Sequence, residues 1–169
     1  MLNAANFWFR TLDEYGVGFR VMHGYGSATA VYNVARYADD EARKLVILYV
    51  GDYDPSGMNM SEHDLPTRFK KYEGKNVRVR RIALTRKQTS GLPSFPASDK
   101  RKDKRYPWFV RNYGHECWEL DAMDPNELRD CVEREIKKLI EPTAWNRCIA
   151  VNAAEKESLR SILEGWQAL

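Results

Sequence analysis

A run of six apolar residues, Leu45 to Val50, is the feature that most constrains the fold of this 169-residue chain. The run is rich in branched side chains, and it has no polar residue that could face water. A strand that is apolar on both faces is typical of the centre of a parallel sheet covered by helices on both sides. It is also far too short to cross a bilayer as a helix, which takes roughly 20 apolar residues. The run therefore predicts an α/β domain and gives no indication of a membrane partner.

The rest of the chain alternates helical and strand patterns around this run. Apolar periodicity, caps and turn residues predict helices over 6–15, 27–37, 61–72, 124–140 and 152–166, and strands over 19–23, 44–50, 76–84 and 117–122. Such alternation predicts a mostly parallel sheet with right-handed connections and helices on both faces. We expect an α/β domain over 1–123, with a basic loop over 85–111, and C-terminal helices over 124–169 that pack on the same domain.

Two aspartates follow the apolar run directly, in the segment Gly51-Asp52-Tyr53-Asp54-Pro55-Ser56-Gly57. Side chains two residues apart at a strand end point the same way, so both carboxylates can reach one cation. Functional groups of open α/β sheets gather at the carboxyl ends of the strands. Hard cations such as Mg²⁺ prefer carboxylate oxygens. The pattern predicts an exposed magnesium site, with a pair of capping or turn aspartates as the alternative.

Positive charge is concentrated in one part of the sequence. Residues 68–111 hold 15 Lys and Arg but three acidic residues, although the net charge of the whole chain is only +3. A basic block with interleaved aromatic residues is typical of proteins that bind nucleic acid, whereas the alternative is a solvated Lys/Arg-rich loop. The residues that we expect to contact phosphates are Arg81, Lys100, Lys102 and Arg105.

The cysteines indicate a reducing compartment. Cys117, Cys131 and Cys148 are odd in number and widely spaced, so they form neither a disulfide framework nor a zinc motif. The N-terminal residues also lack the pattern of a secretory signal. We therefore expect a cytoplasmic protein with three reduced thiols.

Several segments together resemble one known family. In chain order they are Leu48 to Gly57, Arg81-Ile82-Ala83-Leu84-Thr85, Gln88, Leu92-Pro93, Lys102-Asp103-Lys104-Arg105 and Trp118 to Pro125. The series resembles the Toprim domain, in the branch found in the A subunit of type IIB topoisomerases and in related proteins of bacteria and phages. Ordered motifs over about 19–145 are far more specific than a lone Asp-x-Asp pair.

The resemblance implies a Rossmann-like Toprim sheet that binds Mg²⁺, or Mn²⁺, through Asp52 and Asp54. It also implies chemistry on nucleic-acid phosphodiesters, as in topoisomerases and nucleases. Glu119 lies where topoisomerase relatives carry a further acidic residue, so it is a candidate third ligand. The alternative for Glu119 is a strand-end acid paired with an arginine such as Arg81.

The sequence departs from the family pattern in two ways. Toprim domains carry a glutamate at the end of a first strand that precedes the first helix, and no residue here matches it. The nucleophilic tyrosine of the topoisomerases belongs to a separate winged-helix domain, for which there is no counterpart. We therefore expect a reduced domain that shows little activity alone, with DNA or another nucleic acid as one partner and a larger polypeptide that supplies the missing strand as another.

Two other readings of the sequence remain open. The Asp52-Tyr53-Asp54-Pro55-Ser56 segment superficially resembles the nucleophile loop of haloacid-dehalogenase-type phosphatases, in which the first Asp attacks phosphorus and the second protonates the leaving group. The chain could instead be a non-enzymatic module that keeps nucleic-acid or metal binding and has lost the chemistry. Gly24-Tyr25-Gly26 is only a partial dinucleotide-binding motif, because the third glycine is missing.

Overall fold

The computed structural model of the chain describes residues 12–22, 26–40 and 44–167. Two compact units are distinguished, Met1–Glu133 and Arg134–Leu169. Within the described residues the protein is a mixed α/β structure with a small parallel sheet of two strands. The α/β class predicted from the sequence is therefore confirmed at this level. Packing of the C-terminal helices on the first unit stays a prediction.

The first complete helix, α1, spans Ala28–Asp40. Its start agrees with the prediction, because the hydroxyl of Ser27 accepts a hydrogen bond from the Ala30 amide at 3.1 Å. Such a cap satisfies one of the amides that have no partner inside the helix. The small and branched side chains of Val31 and Ala35 form its buried face.

Strands β1 (Leu45–Val50) and β2 (Val77–Ala83) pair in parallel. Leu45 lies opposite Val77 and Tyr49 opposite Arg81, and the register then shifts so that Val50 faces Ala83. Both strands were predicted from their apolar patterns, and their parallel pairing from the alternation of helices and strands. The carboxyl ends of both strands therefore lie at the same edge, next to the Gly51–Gly57 segment. The expectation of a central strand covered on both faces is not met, because within the described residues β1 is half-buried along its whole length and pairs with β2 alone.

A continuous helical segment follows this edge. It consists of α2 (Pro55–Asn59), a π-helical turn (Met60–Asp64) and α3 (Leu65–Lys71). The sequence analysis placed the start of the helix at residue 61, which is six residues too late. The helix begins at Pro55 because proline is favoured in the first turn and Asp54 caps the free amides.

The basic segment after β2 is more structured than a loop. Two 3₁₀ turns, Arg86–Thr89 and Ala97–Lys100, lie within it, and helix α4 spans Tyr106–Tyr113. The predicted basic loop over 85–111 is therefore wrong in its last part. Pro107 occupies the first turn of α4, where its missing amide has no cost.

Short strands complete the first unit. Strand β3 (Phe95–Pro96) pairs antiparallel with β4 (Glu116–Cys117). The strand predicted over 117–122 is thus two residues long, and a 3₁₀ turn, Leu120–Ala122, replaces its end. The strand predicted over 19–23 is wrong in its described part, because residues 19–22 have no regular secondary structure and Phe19 and Val21 are exposed. Most of the helix predicted over 6–15 lies outside the described residues.

Two apolar clusters stabilise the first unit. One packs Tyr53, Leu84, Phe109, Cys117 and Trp118 beside the Gly51–Gly57 segment. The other lies around Val31, Ala35, Met60, Leu65 and Phe69, beneath the two-stranded sheet. Burying a large apolar side chain contributes roughly 1.5–3 kcal/mol relative to leaving it exposed.

The last two helices are α5, over Pro125–Lys137, and α6, over Pro142–Gln167. Asp124 caps α5 by accepting hydrogen bonds from the amides of Asn126 (2.8 Å) and Glu127 (3.2 Å), as its sequence predicted. Helix α6 begins ten residues before the predicted start at residue 152. None of the helices in the described ranges is long and apolar enough to span a membrane.

Candidate metal site after strand β1

Two distant segments meet just beyond β1 through one antiparallel bridge. The Tyr53 amide donates to the Trp118 carbonyl at 2.9 Å, and the Trp118 amide donates back to the Tyr53 carbonyl at 3.0 Å. The two rings are buried with their centroids 5.6 Å apart in an edge-to-face contact. This bridge fixes the residues on either side of Tyr53 against those on either side of Trp118.

Asp52 and Glu119 flank this bridge on opposite segments. In an antiparallel pair that exchanges both hydrogen bonds, the next residues face each other with side chains on the other side of the ribbon. The rings of Tyr53 and Trp118 point into the core, so Asp52 and Glu119 point away from it, and both are exposed. A second contact strengthens this alignment, because Oδ1 of Asp52 accepts a hydrogen bond from the Leu120 amide at 2.8 Å.

Asp54 has a different environment from Asp52. It is 5% exposed, and its Oδ1 accepts a hydrogen bond from the Gly57 amide at 2.7 Å as the N-cap of α2. Its Oδ2 lies 3.4 Å from the ammonium group of Lys100. The expectation of two exposed aspartates is therefore wrong for Asp54. The capping alternative describes it correctly.

Gly57 is required by the close approach of two backbone segments. A Cβ atom at this position would collide with the carbonyl oxygen of Asp52 and would lie 3.3 Å from Nη2 of Arg81. Backbone cannot move aside as a flexible side chain can, so a larger residue would displace the Asp52 peptide. Gly57 thus holds the turn that carries both aspartates.

Arg81 ties the end of β2 to this turn. Its guanidinium donates to Oγ of Ser61 (2.9 Å), to the Gly51 and Leu84 carbonyls (both 2.9 Å) and to the Asp52 carbonyl (3.1 Å). It also stacks over the Tyr49 ring at 4.9 Å. The predicted contact of Arg81 with nucleic acid stays a prediction, and it would compete with these bonds.

The electrostatics of Arg81 reflect this position. Burial lowers the pKa of its guanidinium, while the neighbouring carboxylates of Glu62, Asp54 and Asp52 raise it again in part. The hydrogen bonds of Arg81 go to Ser61 and to backbone carbonyls, so Arg81 is not the arginine that the alternative for Glu119 names. Pairing of Glu119 with another arginine stays a prediction. Glu119 is exposed, and by the register of the bridge it lies opposite Asp52.

The three other basic candidates have different surroundings. Lys100 is partly buried beside Asp54, and Lys102 is exposed. Arg105 forms an ion pair with Asp103, with Nε 2.6 Å from Oδ1. Burial alone would raise the pKa of Asp103, but the hydrogen bonds from Arg105 lower it below its usual value. Contact of these three residues with nucleic acid stays a prediction.

Tyr53 and Tyr113 belong to the aromatic core beside the site. Burial raises the pKa of Tyr53 and Tyr113 above the ordinary value, which disfavours the phenolate form. The phenol rings of both residues contact the aromatic core, 6.0 Å apart between centroids.

The donor set fits a hard cation only in part. Among residues 12–22, 26–40 and 44–167, no group of three or more His, Cys, Asp or Glu side chains is arranged to hold a metal ion. Two exposed carboxylates remain, and these are suited to an ion that keeps several waters, as Mg²⁺ does. Two contributors could not be assigned to this site from sequence patterns, the Leu120 amide and the Lys100 ammonium, because the aspartates that they contact are 68 and 46 positions away in the chain.

Comparison with known proteins identifies no relative of this chain. No protein-family model, no curated protein and no solved structure matches it.

Proposed function

We propose that this chain is a Rossmann-like, Toprim-like domain of a DNA-processing protein, and that it binds Mg²⁺ or Mn²⁺ with Asp52 and Glu119. The observation that carries the proposal is the Tyr53–Trp118 bridge, which sets these two exposed carboxylates opposite each other. Like charges placed directly across a strand pair repel each other, and a shared cation removes that repulsion.

Asp54 has a supporting role in this proposal. Its cap on α2 and its pairing with Lys100 hold the turn in place, so Asp52 keeps its position without help from the metal. In this proposal Asp52 binds the metal ion directly. Asp54 becomes a second aspartate ligand only if Lys100 moves away from its carboxylate. A bound magnesium ion would supply a charge that stabilises phosphate oxygens.

Thermal unfolding tests the site. A cation that binds only the folded state stabilises it by mass action, by about 1.4 kcal/mol at ten times the dissociation constant. For a chain of this size that corresponds to a rise in Tm of roughly 3–6 °C. We expect this rise with MgCl₂ or MnCl₂ in the wild type, and its loss in both Asp52→Asn and Glu119→Gln.

Asp121→Asn is the matched control for this experiment. Asp121 is exposed in the 3₁₀ turn that follows Glu119, and it is not one of the residues next to the bridge. Its variant loses the same charge and should keep the full response to the metal. An equal rise in Tm in Asp52→Asn and in the wild type would place the cation elsewhere and refute the proposal.

The same proposal predicts little catalytic activity for this chain alone. The resemblance assigns the proton-transfer role to a glutamate that has no match here, and such a group typically contributes about 10²–10⁴-fold to the rate. We therefore expect residues 1–169 to bind Mg²⁺ but to nick supercoiled DNA little or not at all. Strong nicking that disappears in Asp52→Asn would contradict this expectation and would direct attention to Glu119 as the proton carrier.

A non-enzymatic nucleic-acid-binding module is the second candidate function. The ammonium group of Lys100, 3.4 Å from the buried Asp54 carboxylate, is an internal cation that already neutralises part of the site. Exposed basic residues such as Lys102 follow it in the chain. This arrangement favours phosphate binding that needs no metal.

Salt titration tests the second candidate. Each phosphate contact contributes roughly 0.9 to the slope of log affinity against log salt for duplex DNA. Lys102→Ala should reduce that slope and weaken all sequences alike, whereas Lys138→Ala, a control in the second unit, should leave it unchanged. Affinity that does not depend on salt would exclude this mode.

The geometry supports the phosphatase alternative least. In that mechanism the second aspartate must donate a proton to the leaving group. Asp54 is buried, and its two carboxylate oxygens already contact the Gly57 amide and the Lys100 ammonium.

A further inference from the structure

Helix α6 carries an unusual amount of exposed apolar surface. It spans Pro142–Gln167, and among its described side chains Leu159 is 61% exposed and Trp166 is 74% exposed. Single exposed apolar residues are common on proteins, but a contiguous set marks an interaction surface. The exposed apolar residues on one side of the helix are Cys148, Ile149, Val151, Leu159, Ile162, Leu163 and Trp166.

Four of these residues, Cys148, Leu159, Ile162 and Trp166, follow the seven-residue spacing of helices that pack in pairs, and the others lie beside them. Successive residues in an α-helix are about 100° apart, so positions seven apart lie nearly on the same line. One such line contains Trp145, Asn152, Leu159 and Trp166, and the adjacent line contains Cys148, Glu155 and Ile162. Trp145 itself is partly buried. The two lines form one stripe, apolar at both ends and polar in the middle at Asn152 and Glu155.

The stripe is complementary to itself when a second copy runs in the opposite direction. In antiparallel helix pairs each residue of one line faces a residue of the other line on the second helix. Leu159 then faces Cys148 of the second copy, and Ile162 faces Trp145. At the centre Asn152 faces Glu155, so an amide donates a hydrogen bond to a carboxylate on each side of the two-fold axis.

The parallel arrangement is disfavoured by charge. In a parallel, in-register pair Glu155 would face Glu155 of the second copy, which would place two carboxylates against each other inside the contact. In the antiparallel pair each Glu155 faces the Asn152 amide of the other copy instead, so no carboxylate lies against another. Charge and apolar pattern therefore select the same partner and the same direction.

We infer that α6 is a self-association surface, on which a second copy of this chain binds through an antiparallel helix pair centred on the Asn152 and Glu155 layer. The contact is isologous, so the same surface of each copy is used and assembly stops at a dimer. This surface lies in the unit Arg134–Leu169, whereas the residues of the proposed metal site lie in the unit Met1–Glu133.

Two charge insertions test the surface. Leu159→Glu places a carboxylate in the stripe, and Ser161→Glu places the same group two residues away on the opposite side of the helix. We expect the full-length wild type and Ser161→Glu to sediment as dimers, and dimerisation of Leu159→Glu to weaken at least about tenfold, since an unpaired charge would be buried. A monomeric wild type, or a dimer that Leu159→Glu does not weaken, would overturn the inference. Circular dichroism verifies that both variants keep their helices.

Disulfide trapping tests the direction. With Leu159→Cys, the introduced thiol faces Cys148 of the second copy in the antiparallel pair, so mild oxidation should give a dimer with two crosslinks on a non-reducing gel. The other two cysteines, Cys117 and Cys131, are buried and should not react. Adding Cys148→Ser should abolish this crosslink. A disulfide between the two Cys148 residues of the wild type would show a parallel pair and overturn the inference.

Discussion

Arg81 offers the sharpest test of how the candidate site is held. In Arg81→Leu the Leu84 carbonyl, which is buried, loses its side-chain donor, and a buried carbonyl without a partner costs about 1–3 kcal/mol. The Gly51 carbonyl still accepts from the Leu84 amide at 2.8 Å, so its loss is smaller, about 1 kcal/mol. Loss of the bond to Ser61 adds about 1 kcal/mol. The bond to Asp52 is exposed and is left out of this sum.

Burial of the apolar leucine side chain offsets part of this loss. We therefore expect Arg81→Leu to lower the free energy of unfolding by about 3 kcal/mol. Urea unfolding at constant m should therefore show a midpoint lower by about 1.5 M for an m of about 2 kcal/mol/M. Arg81→Lys keeps the charge but not the planar fork of donors, so we expect it to lose about 2 kcal/mol.

Arg78→Leu is the control for this experiment, because Arg78 is exposed on the same strand. Its variant should lie within about 0.5 kcal/mol of the wild type. If Arg81→Leu were as stable as Arg78→Leu, the hydrogen bonds of Arg81 would not hold the turn, and the reasoning would be refuted.

Four further outcomes are expected. Gly57→Ala should lose about 2 kcal/mol or more in urea unfolding, and should weaken metal binding, because its methyl group displaces the Asp52 peptide; unchanged stability would contradict the close approach. Asp124→Ala should lose about 1 kcal/mol through its missing cap on α5, measured in the same way. Burial raises the pKa of Cys117 from 9.0 to about 12, so folding favours the protonated thiol. The free energy of unfolding should therefore be unaffected by this group below pH 9.0 and should fall as the pH rises toward 12. At neutral pH an alkylating reagent should modify the exposed Cys148 and not Cys117; rapid modification of both in the native protein would contradict this.

Local signals explain which parts of the fold were predictable. The apolar run before Gly51 and the alternating pattern after Asn76 gave both parallel strands, and the caps Ser27 and Asp124 gave two helix starts. Residues 19–22 have the apolar alternation of a strand, yet Phe19 is exposed. A pattern alone does not show whether a neighbouring strand is there to pair with it.

The candidate site was predictable in its residue types and not in its geometry. Asp52 and Glu119 were both named from the sequence, but the bridge that aligns them is a contact between distant segments. The sequence also named Asp54, but left open whether it binds a metal or caps a helix. It named Lys100 as well, but not its contact with Asp54, which is 46 positions away. The five-residue π turn after Asn59 has no composition signal at all.

That π turn has a consequence for insertions and deletions in this chain. Met58, before the turn, packs in the cluster beside the candidate site, whereas Leu65 and Phe69, after it, pack beneath the sheet. A π turn is equivalent to one extra residue in an α-helix, which rotates everything after it by about 100°. Removing a single residue between 60 and 64 would restore a regular helix but turn Leu65 and Phe69 away from their cluster. The number of residues in the π turn therefore determines which side of the helix carries Leu65 and Phe69. A one-residue deletion here should be tolerated far less well than one in the exposed segment around Gly91.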